Sequence, residues 1–269
     1  MQGAQPMAVS AQTSSILDAI TGLLERARSI LFITGAGISA DSGLPTYRGV
    51  GGLYERTATD DGLPIEEALS GEMLAIRPDI TWKYLIQIEE SCRGARPNAA
   101  HRAIACLESH LGHVLVFTQN VDGLHRQAGS RDLIEIHGNL QQLACTVCSY
   151  QEAVSDFAGR AIPPLCPHCG AVLRPRVVLF GEALPEAGLE RFIEAFERGF
   201  DMVFTIGTSS IFPYITQPVV LAAANGIPTV EINPSRTPLS DIVDYYLPMG
   251  AAAAMTALMA RLGIDLDPG

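Results

Sequence analysis

Two Cys-x-x-Cys hooks, Cys145/Cys148 and Cys166/Cys169, are the residues whose spacing speaks most directly of chemistry. They are separated by 17 residues, an interval typical of zinc ribbons. Each hook sets two thiolates on one turn whose amides support the sulfurs, and two hooks complete a tetrahedron. Four sulfurs leave no open coordination position, so such a zinc is structural and does not activate water. In peptide systems metal binding of this kind supplies ~10–16 kcal/mol of folding energy. Unconnected thiols or a redox Cys-x-x-Cys are the competing reading. His168, inside the second hook, reads as a bystander, and Cys92 and Cys106 stand alone.

Upstream lies a possible phosphate cradle, Gly35-x-Gly37-x-x-Ala40, directly after the apolar run 29–34. A strand before this motif and a helix after it give it meaning. Gly35 would permit the tight turn and Gly37 the approach of a pyrophosphate. Ala40 would allow close packing, and the helix N-terminus would face the phosphates. The acidic residue expected ~20 positions further on, at the end of a second strand, is missing; Asp60 and Asp61 fall in loop. That counts against hydride transfer. A glycine turn without a ligand is the alternative.

Three further polar clusters follow predicted strands: Thr118-Gln119-Asn120-Val121-Asp122, Gly207-Thr208-Ser209 and Glu231-Ile232-Asn233. Each alone reads equally as a turn or helix cap. Four at successive strand ends point to one nucleotide pocket, because open α/β sheets place ligands there. His137 lies between pocket motifs and hooks, after an apolar strand. Its imidazole, with a reference pKa of ~6.5, suits proton abstraction near neutral pH; a capping or core histidine is the alternative. Metal, pocket and histidine together suggest an enzyme that consumes a dinucleotide. His101, His110, His113 and His125 read as structural, with His125 buttressing the 119–122 loop.

These residues need elements to position them. Ile16, Ile20, Leu23, Leu24 and Ala27 share a helical face, with Ser14 or Ser15 as N-cap and the residues before them a loose tail. Buried strands are expected at 29–34, 113–118, 133–136, 202–206, 228–232 and 244–247, with helices at 98–111, 186–198, 213–225 and 251–262. Strands alternating with helices predict a doubly wound, Rossmann-like parallel α/β sheet. Residues 45–96 and the hook region break the alternation. The expected partition is a nucleotide-binding domain of 14–45, 97–138 and 176–262, with a small lobe built from the helical and loop insertion 46–96 and the zinc-binding module 139–175. A cleft between lobes is where a ligand would bind.

The 269 residues suffice for one large domain carrying insertions, and 48% hydrophobic with 17% charged residues is a globular composition. The net charge of −11 argues against general affinity for nucleic acid, whose phosphates demand Lys and Arg. It suits a cationic partner such as a lysine-bearing protein segment. No run reaches the ~18 apolar residues of a membrane span. No secretory signal is visible at the start, so the expected compartment is the cytoplasm, where paired hooks mean metal more often than disulfide.

Taken together, the motifs resemble the sirtuin family of NAD-dependent protein-lysine deacylases, from about residue 30 to 262. The stretch from Gly35 to Arg48 is similar to the family's cofactor motif, with Tyr47 where Phe is usual. Thr118 to Asp122 resembles its Thr-Gln-Asn-x-Asp element, His137-Gly138 its catalytic pair, and the four hook cysteines its zinc lobe. The resemblance implies that the acyl oxygen of an acyl-lysine substrate attacks the nicotinamide ribose of NAD as nicotinamide leaves. The products are nicotinamide, free lysine and acylated ADP-ribose. His137 would be the general base, with Asn120 placing the ribose and a water, and Asp122 bonding the carboxamide. Gly35, Ala36, Gly37, Ala40, Thr46, Tyr47 and Val121 would wall the cofactor. Arg48 would contact phosphate, and Ser39 and Gln119 would complete the site. Gly207, Thr208 and Ser209, with Asn233, Pro234, Ser235 and a backbone amide near Ala251, would hold the adenosine half. Val177, Val178, Phe180, Gly181 and Glu182 would lie along the substrate backbone.

Desuccinylating relatives carry a Tyr-x-x-Arg pair that binds an acidic acyl group. Here the aligned positions are Leu85 and Ile88, and the Tyr84 register leads to Gln87. With no cation to meet it, a buried carboxylate would cost several kcal/mol. The expectation is therefore a deacetylase, or a remover of longer apolar acyl groups, acting as a monomer. The rival readings are a mono-ADP-ribosyltransferase using the same pocket, an NAD-sensing binding module, and a nucleic-acid-binding zinc ribbon.

Overall fold

The computed structural model describes residues 10–46 and 59–266. Six parallel strands form the main sheet: β1 (Ser29–Thr34), β2 (His113–Thr118), β3 (Leu133–Glu135), β7 (Met202–Ile206), β8 (Thr229–Ile232) and β9 (Tyr245–Leu247), in the order β3-β2-β1-β7-β8-β9. The chain winds outward from β1 through β2 to β3, then crosses to β7 on the other side of β1. The β1/β7 boundary is thus the topological switch point, where loops leave in opposite directions and open a crevice.

The central strands are buried and largely apolar because both faces are covered. Ile30 and Phe32 of β1, Val114 and Val116 of β2, and Phe204 and Ile206 of β7 point to one side. There they meet α1 (Ala11–Leu24), α5 (Ala99–His110) and α9 (Ala251–Arg261). Leu31, Ile33, Leu115, Phe117 and Val203 point to the other, against α7 (Glu186–Arg198) and α8 (Pro213–Ala224). Each such side chain, fully buried, contributes ~1.5–3 kcal/mol.

A second, antiparallel sheet of order β5-β4-β6 joins β4 (Gly138–Cys145), β5 (Gln151–Ala153) and β6 (Leu173–Val177). Three helices of the 45–96 stretch, α2 (Ile65–Ala68), α3 (Gly71–Ile76) and α4 (Pro78–Cys92), pack on it. Trp82, Leu85, Leu140, Leu143 and Leu179 form a shared core, and Trp82 Nε1 donates to the carbonyl of Leu173 at 2.9 Å. A short helix α6 (Leu124–Ala128) follows the β2 loop.

Most expected elements appear within a residue or two of their expected limits. The first helix starts earlier: Ser10, not Ser14 or Ser15, is the N-cap, its Oγ accepting from Thr13 N at 3.1 Å. Its buried face is led by Leu17, Ile20 and Leu24, with Ile16 and Leu23 only partly covered. The hydroxyl residues Thr13, Ser14 and Ser15 near the start of the helix, types that favour caps and turns, masked this start. After Gly35 the chain forms a 3-10 segment, Ala36–Ser42, rather than the expected α-helix.

Candidate active site

At the β1/β7 switch point two glycine loops press backbone to backbone. Gly37 N donates to the Gly207 carbonyl at 2.9 Å, and Gly35 N to that of Ile206 at 3.1 Å. A Cβ on Gly37 would lie 2.6 Å from Gly207 Cα, and one on Gly35 2.9 Å from Gly207 O. Gly35 is extended (φ −132°, ψ −172°), so close approach, not a left-handed turn, requires glycine there. Gly37 is likewise fitted to Gly207 while it also lines the cleft.

These loops floor a cleft of about 1010 Å³ between the main sheet and the smaller lobe. Gly35, Ala36, Gly37, Ala40, Thr46, Gln119, Asn120, Val121 and His137 line it, as do Gly207, Thr208, Ser209, Asn233, Pro234 and Ser235. The opposite wall brings Leu85, Ile88, Val177, Val178, Phe180, Gly181 and Glu182. Ser39 and Asp122 lie in an adjoining small pocket, with Ala36, Ile88 and Asn120 shared between the two. Ala251 is off the cleft wall, at the start of α9, where Ala252 N donates to Asp41 Oδ2 at 3.0 Å. Tyr47 and Arg48 lie outside the described residues.

The β2 loop is held from below. Thr34 Oγ1 donates to Thr118 Oγ1 at 2.8 Å and lies 2.9 Å from His125 Nε2. Thr118 Oγ1 in turn accepts from Asn120 N at 3.1 Å. The buttressing expected of His125 is therefore real, and works through Thr34. Asn120 Nδ2 donates to the Gly35 carbonyl at 3.1 Å and to Ser39 Oγ at 3.2 Å. Among the described residues its buried Oδ1 has no hydrogen-bond partner, a costly arrangement that a ligand donor would relieve. Asp122 accepts from Ser39 Oγ at 2.7 Å and from Leu124 N at 2.9 Å. Burial pushes its pKa above the usual carboxylate value, and the two hydrogen bonds oppose that rise.

His137 follows β3 and enters β4 through Gly138, which has φ +82° and whose Cβ would lie 1.8 Å from the Arg176 carbonyl. The β4–β6 pairing thereby seats His137 beside Val178, whose N donates to the His137 carbonyl at 2.9 Å. Burial lowers the imidazole pKa, opposed by a hydrogen bond to the Gln119 backbone. Both effects together leave the imidazole pKa below its ordinary value, which favours the neutral, base-competent form.

Glu182 anchors the substrate-facing wall. Burial raises its pKa, but hydrogen bonds from Arg174 and the Leu179 amide outweigh this and leave it lowered. Arg174 Nη2 reaches Glu182 Oε2 at 2.9 Å, and Leu179 N donates to the same oxygen at 2.8 Å.

The four hook sulfurs lie within 4.8 Å of one another. Neighbouring pairs are 3.5 Å (Cys145–Cys169) and 3.6 Å (Cys148–Cys166) apart, close to the ~3.8 Å edge of a tetrahedron with ~2.3 Å Zn–S bonds. The amides of Val147 and Cys148 each donate to Cys145 Sγ at 3.4 Å. The donor set fits a structural zinc ion.

Sequence reasoning missed several cleft residues: Leu69, Leu140, Leu184, Phe212, Tyr214 and Arg236. Tyr214 matters most, its hydroxyl lying 2.7 Å from His137 Nε2. The available signal was its place just after Pro213 at a helix start that follows the Gly207-Thr208-Ser209 turn.

Known proteins place this arrangement. A sequence model of the Sir2 family matches residues 35–213. The chain is 51% identical to the NAD-dependent protein deacylase 2 of Pseudomonas syringae pv. tomato, over 89% of this chain and 97% of the relative. A crystal structure of a Sir2 homolog–NAD complex superposes with a TM-score of 0.81 at 34% identity, covering 99% of this chain and 98% of the other. A Sir2–p53 peptide–NAD+ complex does so with a TM-score of 0.80 at 28% identity, covering 93% and 99%. The chain belongs to the Sir2 family.

Proposed function

We infer that this protein is an NAD-dependent protein-lysine deacylase that transfers the acyl group to ADP-ribose and releases nicotinamide. The observation that carries this reading is His137 at the cleft wall, seated between the Gly35/Gly207 floor and the Val177–Val178 strand end. The relatives named as NAD-dependent protein deacylases and the NAD-bound structural neighbour support it.

NAD would supply the acyl acceptor and the nicotinamide leaving group. Asn120, with its unpartnered Oδ1, would position a donor of the bound ligand. Asp122, already fixed by Ser39 and Leu124, would face the carboxamide side. Gly35, Ala36, Gly37, Ala40, Thr46, Gln119 and Val121, with Gly207 to Ser209 and Asn233 to Ser235, would hold the dinucleotide. Tyr47, Arg48 and Ala251 remain proposed contacts on the ground of the family motif. His137 Nε2 would take the ribose hydroxyl proton.

The acyl-lysine peptide would lie along Val177, Val178, Phe180 and Gly181, with Glu182 stiffening that segment. Leu85 and Ile88 present only carbon to the cleft. Lys83 is turned to Asp61 at 2.8 Å, and the Tyr84 hydroxyl also bonds Asp61, so neither offers a partner to an acidic acyl group. We therefore assign acetyl and longer apolar acyl groups as substrates. The segments 46–96 and 139–175 would act together as the small lobe over a nucleotide-binding domain of 14–45, 97–138 and 176–262. Among the described residues no helix is long and apolar enough to cross a membrane; we place the protein in the cytoplasm, working as a monomer.

Acetyl-, succinyl- and myristoyl-lysine peptides, incubated with NAD and analysed for products, test this function. Acyl-ADP-ribose equal in amount to nicotinamide, from acetyl or myristoyl and barely from succinyl, is the expected result. ADP-ribosylated protein without deacylation would favour a transferase, and NAD binding without nicotinamide release a sensing module.

A further inference from the structure

His137 Nε2 lies 2.7 Å from Tyr214 Oη, and the imidazole also meets the Gln119 backbone. Tyr214 is half-buried at the start of α8 and itself lines the cleft. Its ring stacks on Phe212 at 5.5 Å and 15°, and meets His137 edge-on at 6.0 Å and 73°. The hydroxyl is therefore held by ring packing, not by a chance rotamer.

We propose that Tyr214 is a positioning residue for His137: its hydroxyl donates to Nε2 and fixes the neutral imidazole with its proton on Nδ1 until a ribose hydroxyl takes over that bond. The chemistry of each partner agrees with this direction. Burial pushes the Tyr214 phenol up to about 12, so it keeps its proton and donates. Burial pushes His137 the other way, so it is neutral and accepts. With Nε2 facing the tyrosine hydroxyl, the contact to the Gln119 backbone, which raises the imidazole pKa, fits the same tautomer.

Other charged groups around His137 are committed elsewhere. Glu135 of β3 is bound by Arg126 at 2.6 Å and Asn139 at 2.8 Å. Arg176 of β6 reaches Gln151 at 3.1 Å. Glu182 is paired with Arg174, and Arg236 with Asp241. Asp122 is held by Ser39. Among the described residues none of these is a hydrogen-bond partner of the imidazole, and Tyr214 is the side chain that bonds it from the cleft side.

The role rests on His137 being the base. The test is the pH profile of kcat/KM for NAD, which reports the free enzyme, measured on wild type, Tyr214→Phe and His137→Ala with an acetyl-lysine peptide. Losing a donor to the neutral ring makes protonation easier, so the acidic limb of Tyr214→Phe should move up by about half to one pH unit, the size of one neutral hydrogen bond. An unmoved limb, or one displaced to lower pH, overturns the proposal. If His137→Ala keeps the wild-type rate, the base itself is misassigned; if it is inactive while the limb stays put, only the tyrosine's role falls. Nitrogen-15 NMR of the wild-type ring decides independently of any variant: a proton on Nδ1 is expected, and one on Nε2 refutes the donation.

Discussion

Gly37 and Gly207, 170 residues apart in sequence, share one van der Waals space: the N–H of the first meets the carbonyl of the second at 2.9 Å, and neither has room for a Cβ. This contact ties the ends of β1 and β7 together and shapes the cleft floor. A methyl group on Gly207 would lie 2.4 Å from Gly37 C, and the residue has φ +62°. Gly207→Ala should therefore cost more than left-handed strain alone, ~1–3 kcal/mol, and should also weaken NAD binding. Gly226→Ala is the control, with φ +71° and nothing within 4 Å; it should show the backbone cost and leave NAD affinity intact. Thermal unfolding and NAD titration of both variants check this. Equal effects from the two would remove the packing argument.

The metal site makes a separate claim. β4 carries Cys145 at one end and Gly138, next to His137, at the other, and pairs with β6 at both ends across a register shift between Asn139 and Leu143. Chelation, or Cys166→Ala, should unfold the zinc lobe and abolish deacylation, since the wall opposite the cofactor would be lost. The expected readout is one zinc per chain before treatment and loss of activity in step with zinc release. Full activity in a zinc-free protein would contradict a structural metal.

Acid should destabilise this fold through buried imidazoles. His101 is pushed down to about 4 by burial, assisted by Arg102, and His125 is pushed well below its ordinary value by burial, assisted by His101. The two rings contact edge-on at 4.9 Å. Both pKa values fall on folding, so below pH ~6.5 the unfolded chain binds protons that the folded one refuses, and stability declines as pH falls. For His101 the window runs from ~6.5 down to about 4 and amounts to ~3 kcal/mol. Asp122, raised on folding, acts in the opposite direction. Unfolding temperatures measured from pH 7 to 4.5 should drop in the wild type and less steeply in His101→Gln. Equal slopes would show that His101 is not the group being titrated.

Much of this architecture is legible in the sequence for a physical reason. Strands buried on both faces, such as Leu31 to Ile33 and Val203 to Ile206, leave continuous apolar runs, and the cysteine hooks encode their own geometry. What local pattern does not encode is the meeting of distant segments. Nothing around residue 214 announces that its hydroxyl reaches residue 137, because that contact arises only when α8 is laid across the sheet. Nor does the glycine motif reveal that Gly37 faces another backbone as well as the cleft. Nor does it show that the chain after Gly35 takes a 3-10 form, with Gly37 hydrogen-bonded to the Gly207 loop. Leu85 and Ile88 serve the core and the cleft wall at once, so their apolar character fits both readings without deciding between them.

The most direct test of the account is His137→Ala, assayed for acyl-ADP-ribose formation from an acetyl-lysine peptide and NAD, alongside its unfolding temperature. The account predicts loss of product by a factor of ~10² or more, the scale of general base catalysis, in a protein that still folds and still holds its zinc. A folded His137→Ala protein producing acyl-ADP-ribose at the wild-type rate would contradict it.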